Sequence, residues 1–255
     1  MVKTPSDAVR ALRVLPMLWM VVLGALVLST HPLWSAEAPL AENQVVGEER
    51  VQILDRLAER MRDVTSLQAS VVQRRRHPLL KGEAVSEGTL VFKKPNSLRW
   101  EVVKPERAIV VIDGRTLLIY YPDRKEAERR DLRADFASQA AVEFLMAGMT
   151  LDVAELEKRF QVDLFRESGR FTLLLTPRSQ LVAKAVASVA LVLDEGDAVP
   201  HQIVVVGPKG DRTETTLTHV IINPELRQDP FTLRLPPGVR VTDVGKPPEE
   251  GSGVR

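Results

Sequence analysis

The sequence predicts a mostly β protein with α-helices, built on one antiparallel sheet that is strongly curved or part-closed and backed by helices as a second layer. The first observation is the segment Gly88 to Pro122, GTLVFKKPNSLRWEVVKPERAIVVIDGRTLLIYYP, which packs four short extended runs between turn signals. The second is a further series of short strand-like runs from Val162 to Leu235, punctuated by Gly and Pro. The third is that helical spacing of apolar residues is confined mainly to stretches near Glu48 and Ala134. A sheet with that many strands rarely stays flat and open.

The elements follow in order. Ile53, Leu57, Met61 and Val64, with Leu54 and Ala58 beside them, put an apolar stripe on a helix from Glu48 to Arg62. From Leu67 the period changes to two, with Leu67, Ala69 and Val71 alternating against Gln68 and Ser70, and the strand ends in Arg74-Arg75-Arg76. That basic run reads as a charged strand end that protects an edge. After a loop from His77 to Ala84 comes the meander, broken at Lys94-Pro95-Asn96, Lys104-Pro105 and Asp113-Gly114. Asp-Gly between β-rich runs is a hairpin signal, since both central residues of that turn favour positive φ. Leu90, Phe92, Leu98, Trp100, Val102, Ile109, Val111, Leu117 and Ile119 are read as its alternating apolar row.

Glu126 to Leu132 reads as a polar strand, Ala134 to Gly148 as a helix with a buried face, and Val153 to Phe160 as a second short helix. Strands are expected at Val162–Phe165, Phe171–Leu175, Val189–Leu193, Gln202–Val206, Thr213–Ile222 and Phe231–Leu235. The division expected is a cleaved signal peptide over 1–36, a linker over 37–46, one domain over 47–245 and a disordered tail over 246–255.

The leader has a basic start (Lys3, Arg10, Arg13) and an apolar core, Leu15 to Leu28, shorter than the roughly 20 residues a span needs. Cleavage is expected after Ala36, with Ala38 and an uncleaved anchor as alternatives, so export to the periplasm of a Gram-negative bacterium is the expected location. The chain contains no Cys, which excludes thiol nucleophiles, thiolate zinc sites and lipid attachment through a cysteine. Stability must come from the core, and the length suffices for one. The formal charge is +1; removing the leader leaves a balance near −1, which argues against a nucleic-acid partner.

The search for chemistry finds little. His77, His201 and His219 are far apart and none sits in a metal-ligand spacing. There is no GxSxG elbow, GxGxxG or P-loop, and Gly207-Pro208-Lys209-Gly210-Asp211 reads as a β-turn. No catalytic residue, metal or cofactor is expected, and the chain reads as a non-enzyme. What remains is the apolar row, which periodicity alone leaves open between a filled core and a ligand cavity.

The meander resembles the periplasmic lipoprotein carrier family, LolA. The motif positions are Gly88, Leu90, Phe92, Lys93, Lys94, Pro95, Asn96, Arg99, Trp100, Pro105, Glu106, Asp113, Gly114, Arg115, Thr116, Leu117, Tyr120, Tyr121 and Pro122. Ser66 to Val71 resembles the family's first strand, and Phe231-Thr232-Leu233 with Pro236-Pro237-Gly238-Val239 its closing segment. The resemblance implies an unclosed β-barrel with an α-helical lid over a hydrophobic cavity. It would make the apolar row, with Phe144 from the helix, a lipid-binding cavity. It implies carriage of acylated lipoproteins, loading by an inner-membrane lipoprotein-releasing ABC transporter and delivery to an outer-membrane acceptor, by a monomer. Lys94 stands where better-known members carry an Arg that hydrogen-bonds to the lid, so Lys94 is the lid-latch candidate. Alternatives are carriage of another lipid or glycolipid, or a periplasmic sensor that binds lipid or misfolded lipoprotein. The end of the chain soon after the closing segment favours the carrier.

Overall fold

A computed structural model describes residues 41–79, 82–134, 142, 146, 149, 151–226 and 229–244. Among them, thirteen strands form one unclosed sheet in the order β1-β8-β9-β10-β11-β12-β2-β3-β4-β5-β6-β7-β13. The chain divides into two compact units: the described parts of Met1–Met61, Gln73–Ala84 and Ala147–Thr216, and those of Arg62–Val72, Val85–Met146 and Leu217–Arg255.

In the first unit, β1 (Gln44–Val45) precedes α1 (Gly47–Arg62), which matches the predicted amphipathic helix and buries Ile53, Leu54, Leu57 and Met61. Residues 44 and 45, expected to be linker, instead pair with Phe165 and Leu164 of β8 (Phe160–Glu167). Arg50 ties the helix down: Nη2 donates to the Glu157 carboxylate at 2.6 Å and the Val162 carbonyl at 2.8 Å. Glu157 belongs to α2 (Val153–Arg159), whose start is fixed where Asp152 accepts the Glu155 amide at 3.1 Å. Next come β9 (Arg170–Pro177), a short α3 (Gln180–Ala183), β10 (Ser188–Asp194) and β11 (Gln202–Val206). Their ladders align Val162, Leu175 and Val189 in one row and Leu164, Leu173 and Leu191 in the next, all buried. Each such side chain contributes about 1.5–3 kcal/mol by leaving water.

The second unit carries the meander. β2 (Ser66–Arg76) and β3 (Glu83–Lys93), whose Gln73–Arg76 and Glu83–Ala84 ends belong to the first unit, begin earlier or run longer than periodicity suggested, followed by β4 (Ser97–Lys104), β5 (Ala108–Asp113), β6 (Thr116–Tyr121) and β7 (Glu126–Asp131). The β5–β6 turn is stapled by Asp113, whose Oδ1 accepts the Arg115 amide at 3.0 Å and the Thr116 amide at 2.7 Å. Only Gly114 of the Asp-Gly pair has positive φ, at 88°, so the expectation of two such residues is corrected: Asp113 acts as a side-chain cap instead.

β12 (Arg212–Ile222) ends at Asn223, and β13 (Arg240–Val244) pairs in parallel with β7. The strand expected at Phe231–Leu235 is not formed. That segment lies over a sheet face: the Pro230 carbonyl accepts from Arg99 Nη1 at 3.0 Å, and Phe231 and Leu233 line a cleft with Val111 and Leu118. Its apolar residues are spent on the face rather than on an edge. The Asp229 carboxylate fixes its start, accepting Phe231 N at 3.1 Å and Thr232 Oγ1 at 2.5 Å.

Of the expected helix over 134–148 and the residue after it, Ala134, Val142, Met146 and Met149 are described; Ala134 lies in a turn, its amide donating to the Asp131 carbonyl at 3.1 Å, and the other three are helical and buried, at spacings of four and three. The rest of that segment, the leader and the 246–255 tail lie outside the described residues.

Candidate functional site

Directly opposed residues in a ladder share a face, so the register decides which side chains form the apolar surface. One row runs Phe92, Leu98, Ile112, Leu117 and Arg130 across β3 to β7. The next runs Leu90, Trp100, Val110, Ile119 and Glu128. A third opposes Gly88, Val102 and Ala108. Every apolar side chain in these rows is buried.

Seven of the residues expected to line the cavity therefore lie on one face: Leu90, Phe92, Leu98, Trp100, Val102, Leu117 and Ile119. Ile109 and Val111 do not. They oppose Glu101 and Arg99 and project to the opposite face, where Val111 lines a cleft of about 660 Å³ with Lys93, Asp113, Leu118 and Arg129. β5 is apolar at every position from Ala108 to Ile112, so alternation carried no face signal there and the register was free to choose the other parity. Val110 and Ile112 take the places assigned to them. Phe144 lies outside the described residues.

The face is not wholly apolar, and this is what the sequence reading missed. Glu128 and Arg130, in a stretch read only as polar strand, lie in its rows because Ile119 and Leu117 oppose them. Arg130 Nη2 approaches Glu128 Oε2 at 3.4 Å, and Glu128 is 5% exposed. Burial raises the Glu128 carboxyl above the ordinary carboxylate range; Arg130 offsets this only in part, and Glu126 adds to the rise. Burial likewise raises the Tyr121 phenol, so it stays neutral. Trp100 Nε1 is buried with no hydrogen-bond partner among the described residues.

A raised carboxyl pKa means that ionised Glu128 opposes folding. That penalty is full above the folded-state pKa and is relieved as pH falls towards the unfolded value. Glu128→Gln should thus change stability at pH 7 by no more than about 1 kcal/mol and flatten its rise towards pH 5. Denaturant midpoints at both pH values check this. A loss near 3 kcal/mol at pH 7, the cost of stranding a buried partner charge, would show that the pair with Arg130 dominates instead.

Lys94 sits in the β3–β4 turn at the rim of this unit. Its amide donates to the Thr65 carbonyl at 2.8 Å. Partial burial lowers the ammonium pKa and the nearby Asp63 charge opposes that. Thr65 is held in turn by Asn223, whose Oδ1 accepts from Thr65 N at 2.8 Å, Thr65 Oγ1 at 2.9 Å and Ser66 N at 3.1 Å, while Nδ2 donates to the Asp63 carbonyl at 2.9 Å. Asn223-Pro224 could have been read as a turn, but not as the staple of a segment so distant in sequence.

Among the described residues, no helix is long and apolar enough to cross a membrane, and no group of His, Asp and Glu is arranged to hold a metal.

A family model described as outer membrane lipoprotein carrier protein LolA matches residues 62–234. The outer-membrane lipoprotein carrier protein of Bordetella avium is 26% identical over 169 residues, 66% of this chain and 76% of that protein. That of Hahella chejuensis is 27% identical over 195 residues, 74% and 87% of the two chains. A solved LolA-superfamily protein from Nitrosomonas europaea aligns over 68% of this chain and 93% of its own, at 15% identity and a TM-score of 0.38, too distant to support an argument. The family match alone spans the meander with its opposed rows and both ends of the staple at Asn223, and on it the chain belongs to the LolA family of outer-membrane lipoprotein carriers.

Proposed function

We propose that this protein is a periplasmic carrier that holds the acyl chains of lipoproteins against the apolar face of β3 to β7 and takes them from the inner to the outer membrane. The observation that carries this reading is the family match over the whole segment that bears the face. The physical need is plain: each acyl CH₂ kept from water is worth about 0.8 kcal/mol, so a lipidated protein crosses an aqueous compartment only with its chains buried. The face is closed here, every apolar row residue being buried, so loading requires what covers it to move.

In this reading the leader exports the chain, an inner-membrane ABC transporter loads it and an outer-membrane acceptor unloads it. Leu90, Phe92, Leu98, Trp100, Val102, Leu117 and Ile119, with Val110 and Ile112, line the binding face. Lys94 acts as the latch at its rim. Lys presents a compact charge where Arg would offer a planar fork, so the latch is weak and release is easy.

Organic extracts of the protein purified from the periplasm should yield acylated cargo on mass spectrometry, and Lys94→Arg should slow transfer of a lipopeptide to acceptor vesicles about five-fold, the worth of one added hydrogen bond. Lipid-free protein that also fails to take up the lipopeptide would overturn the carrier reading. Unchanged transfer by Lys94→Arg would remove the latch alone.

A further inference from the structure

The run Arg74-Arg75-Arg76, read from sequence as a solvated strand end, is split by the alternation of β2. Arg74 and Arg76 both pair with Glu83, at 3.3 and 3.1 Å. Arg75 projects to the other side of the strand, the side of Gln73, which is buried and donates from Nε2 to Thr215 Oγ1 at 3.1 Å. There Arg75 Nη2 is buried and makes no hydrogen bond among the described residues.

A second cation shares this predicament. Lys209 lies in the tight turn between β11 and β12, closed by Gly207 N donating to the Asp211 carbonyl at 2.8 Å and Gly210 N to the Gly207 carbonyl at 3.0 Å. Its Nζ is also buried without a hydrogen-bond partner among the described residues. The turn and the end of β2 meet: Asp211 is the charge that acts on Arg75, and the space beside Gly210 is bounded by Pro78 at 3.5 Å. Asp211 attracts Arg75 but makes no hydrogen bond to its Nη2. Its carboxylate folds back on its own turn, so close that a Cβ on Gly207 would meet Oδ1 at 2.2 Å.

Two cations and one diverted carboxylate leave a net positive charge in a part-buried polar corner, next to Gln73 and Thr215. Arg cannot shed its proton, and a buried cation without a partner is costly. We propose that this corner, built by Arg75 and Lys209, binds an anion of the phosphate class. A guanidinium fork and an ammonium are the two groups that recognise phosphate oxygens. The group can belong to a lipid headgroup or to a free phosphate. The inference does not depend on the carrier reading, because it concerns polar residues of β2 and the β11–β12 turn and none of the apolar rows.

The test uses full-length protein at low ionic strength, where such contacts are least screened. Inorganic phosphate should raise the thermal midpoint of the wild type and of Arg74→Gln, and leave Arg75→Gln unmoved. Without phosphate, Arg75→Gln should be no less stable than wild type, since it removes a guanidinium whose burial Asp211 offsets only in part. Phosphatidylglycerol vesicles should be bound about ten-fold more tightly than phosphatidylcholine vesicles if the source is a headgroup, with the preference lost in Arg75→Gln and Lys209→Gln. A response to phosphate with no vesicle preference assigns the site to a free anion. The proposal fails if neither phosphate nor anionic vesicles act on the wild type, or if Arg74→Gln loses the response as fully as Arg75→Gln.

Discussion

Gly88→Ala should destabilise the protein by about 3 kcal/mol, as overpacking against rigid backbone does. A Cβ at Gly88 would stand 2.0 Å from the Glu101 carbonyl oxygen and 3.1 Å from Val102 Cα. Both are main-chain atoms of the neighbouring strand, so no rotamer change relieves the clash. The reason for the approach lies in the ladder: Glu87 opposes Lys104 but Gly88 opposes Val102, leaving Val103 as the extra residue of a bulge. The glycine that opens the family motif is thus required by strand pairing. For a chain of this size the loss should lower the thermal midpoint by roughly 6–12 °C. Gly196→Ala is the control: Gly196 has nothing within 4 Å of its Cβ position, and the change should stay within about 0.5 kcal/mol. Equal midpoints for the two variants would refute the bulge argument.

Asn223→Ala should cost about 3 kcal/mol, combining the lost hydrogen bonds with a left-handed conformation that Ala disfavours. Asn223 has φ of 51° and makes four side-chain hydrogen bonds to the 63–66 segment. Most of these groups are exposed, so water recovers part of the loss and the full sum of four bonds is not expected. A graded series separates the causes. Asn223→Asp keeps the three accepted bonds and should lose about 1 kcal/mol, and Asn223→Gly, free of strain, about 2 kcal/mol. Since the Thr65 carbonyl in turn accepts the Lys94 amide, Asn223→Ala should also loosen the β3–β4 turn, visible as faster exchange of that amide. Equal denaturant midpoints for the Asp and Ala variants would show that the side-chain bonds do not hold the segment.

These two positions mark where sequence reading reaches its limit. The meander was legible because Leu90–Phe92 and Leu98–Trp100–Val102 alternate cleanly against polar residues, and because each run ends at a turn dipeptide. Helix α1 was legible for the analogous reason, its stripe recurring at helical spacing. The face assignment failed at Ile109 and Val111, in a strand apolar at every position, where only the β4–β5 register carries the information. Glu128 and Arg130 were missed because charge predicts exposure; the burial of Glu128 and part-burial of Arg130 follow from their being opposed to Ile119 and Leu117. The Asn223 staple joins residues more than 150 positions apart, as no local pattern can disclose. Phe231–Leu235 was misread because an apolar run that covers a face has the same composition as one that joins an edge, and Arg240–Val244 went unread because a short polar strand in a parallel pair has no alternation to show.

Trp100 offers the most direct test of the central claim. It lies between Leu90 and Val110 in the second row and is 6% exposed. Its emission can be followed while a lipopeptide with brominated acyl chains is titrated into the protein, since bromine quenches only on near contact. The Trp100→Phe variant reports any contribution from Trp19 and Trp34. The carrier account predicts saturable quenching of the wild type, absent from the variant and reversed by an unbrominated competitor. Emission from Trp100 that stays unchanged while the lipopeptide demonstrably binds would place the acyl chains elsewhere and contradict the assignment of this face.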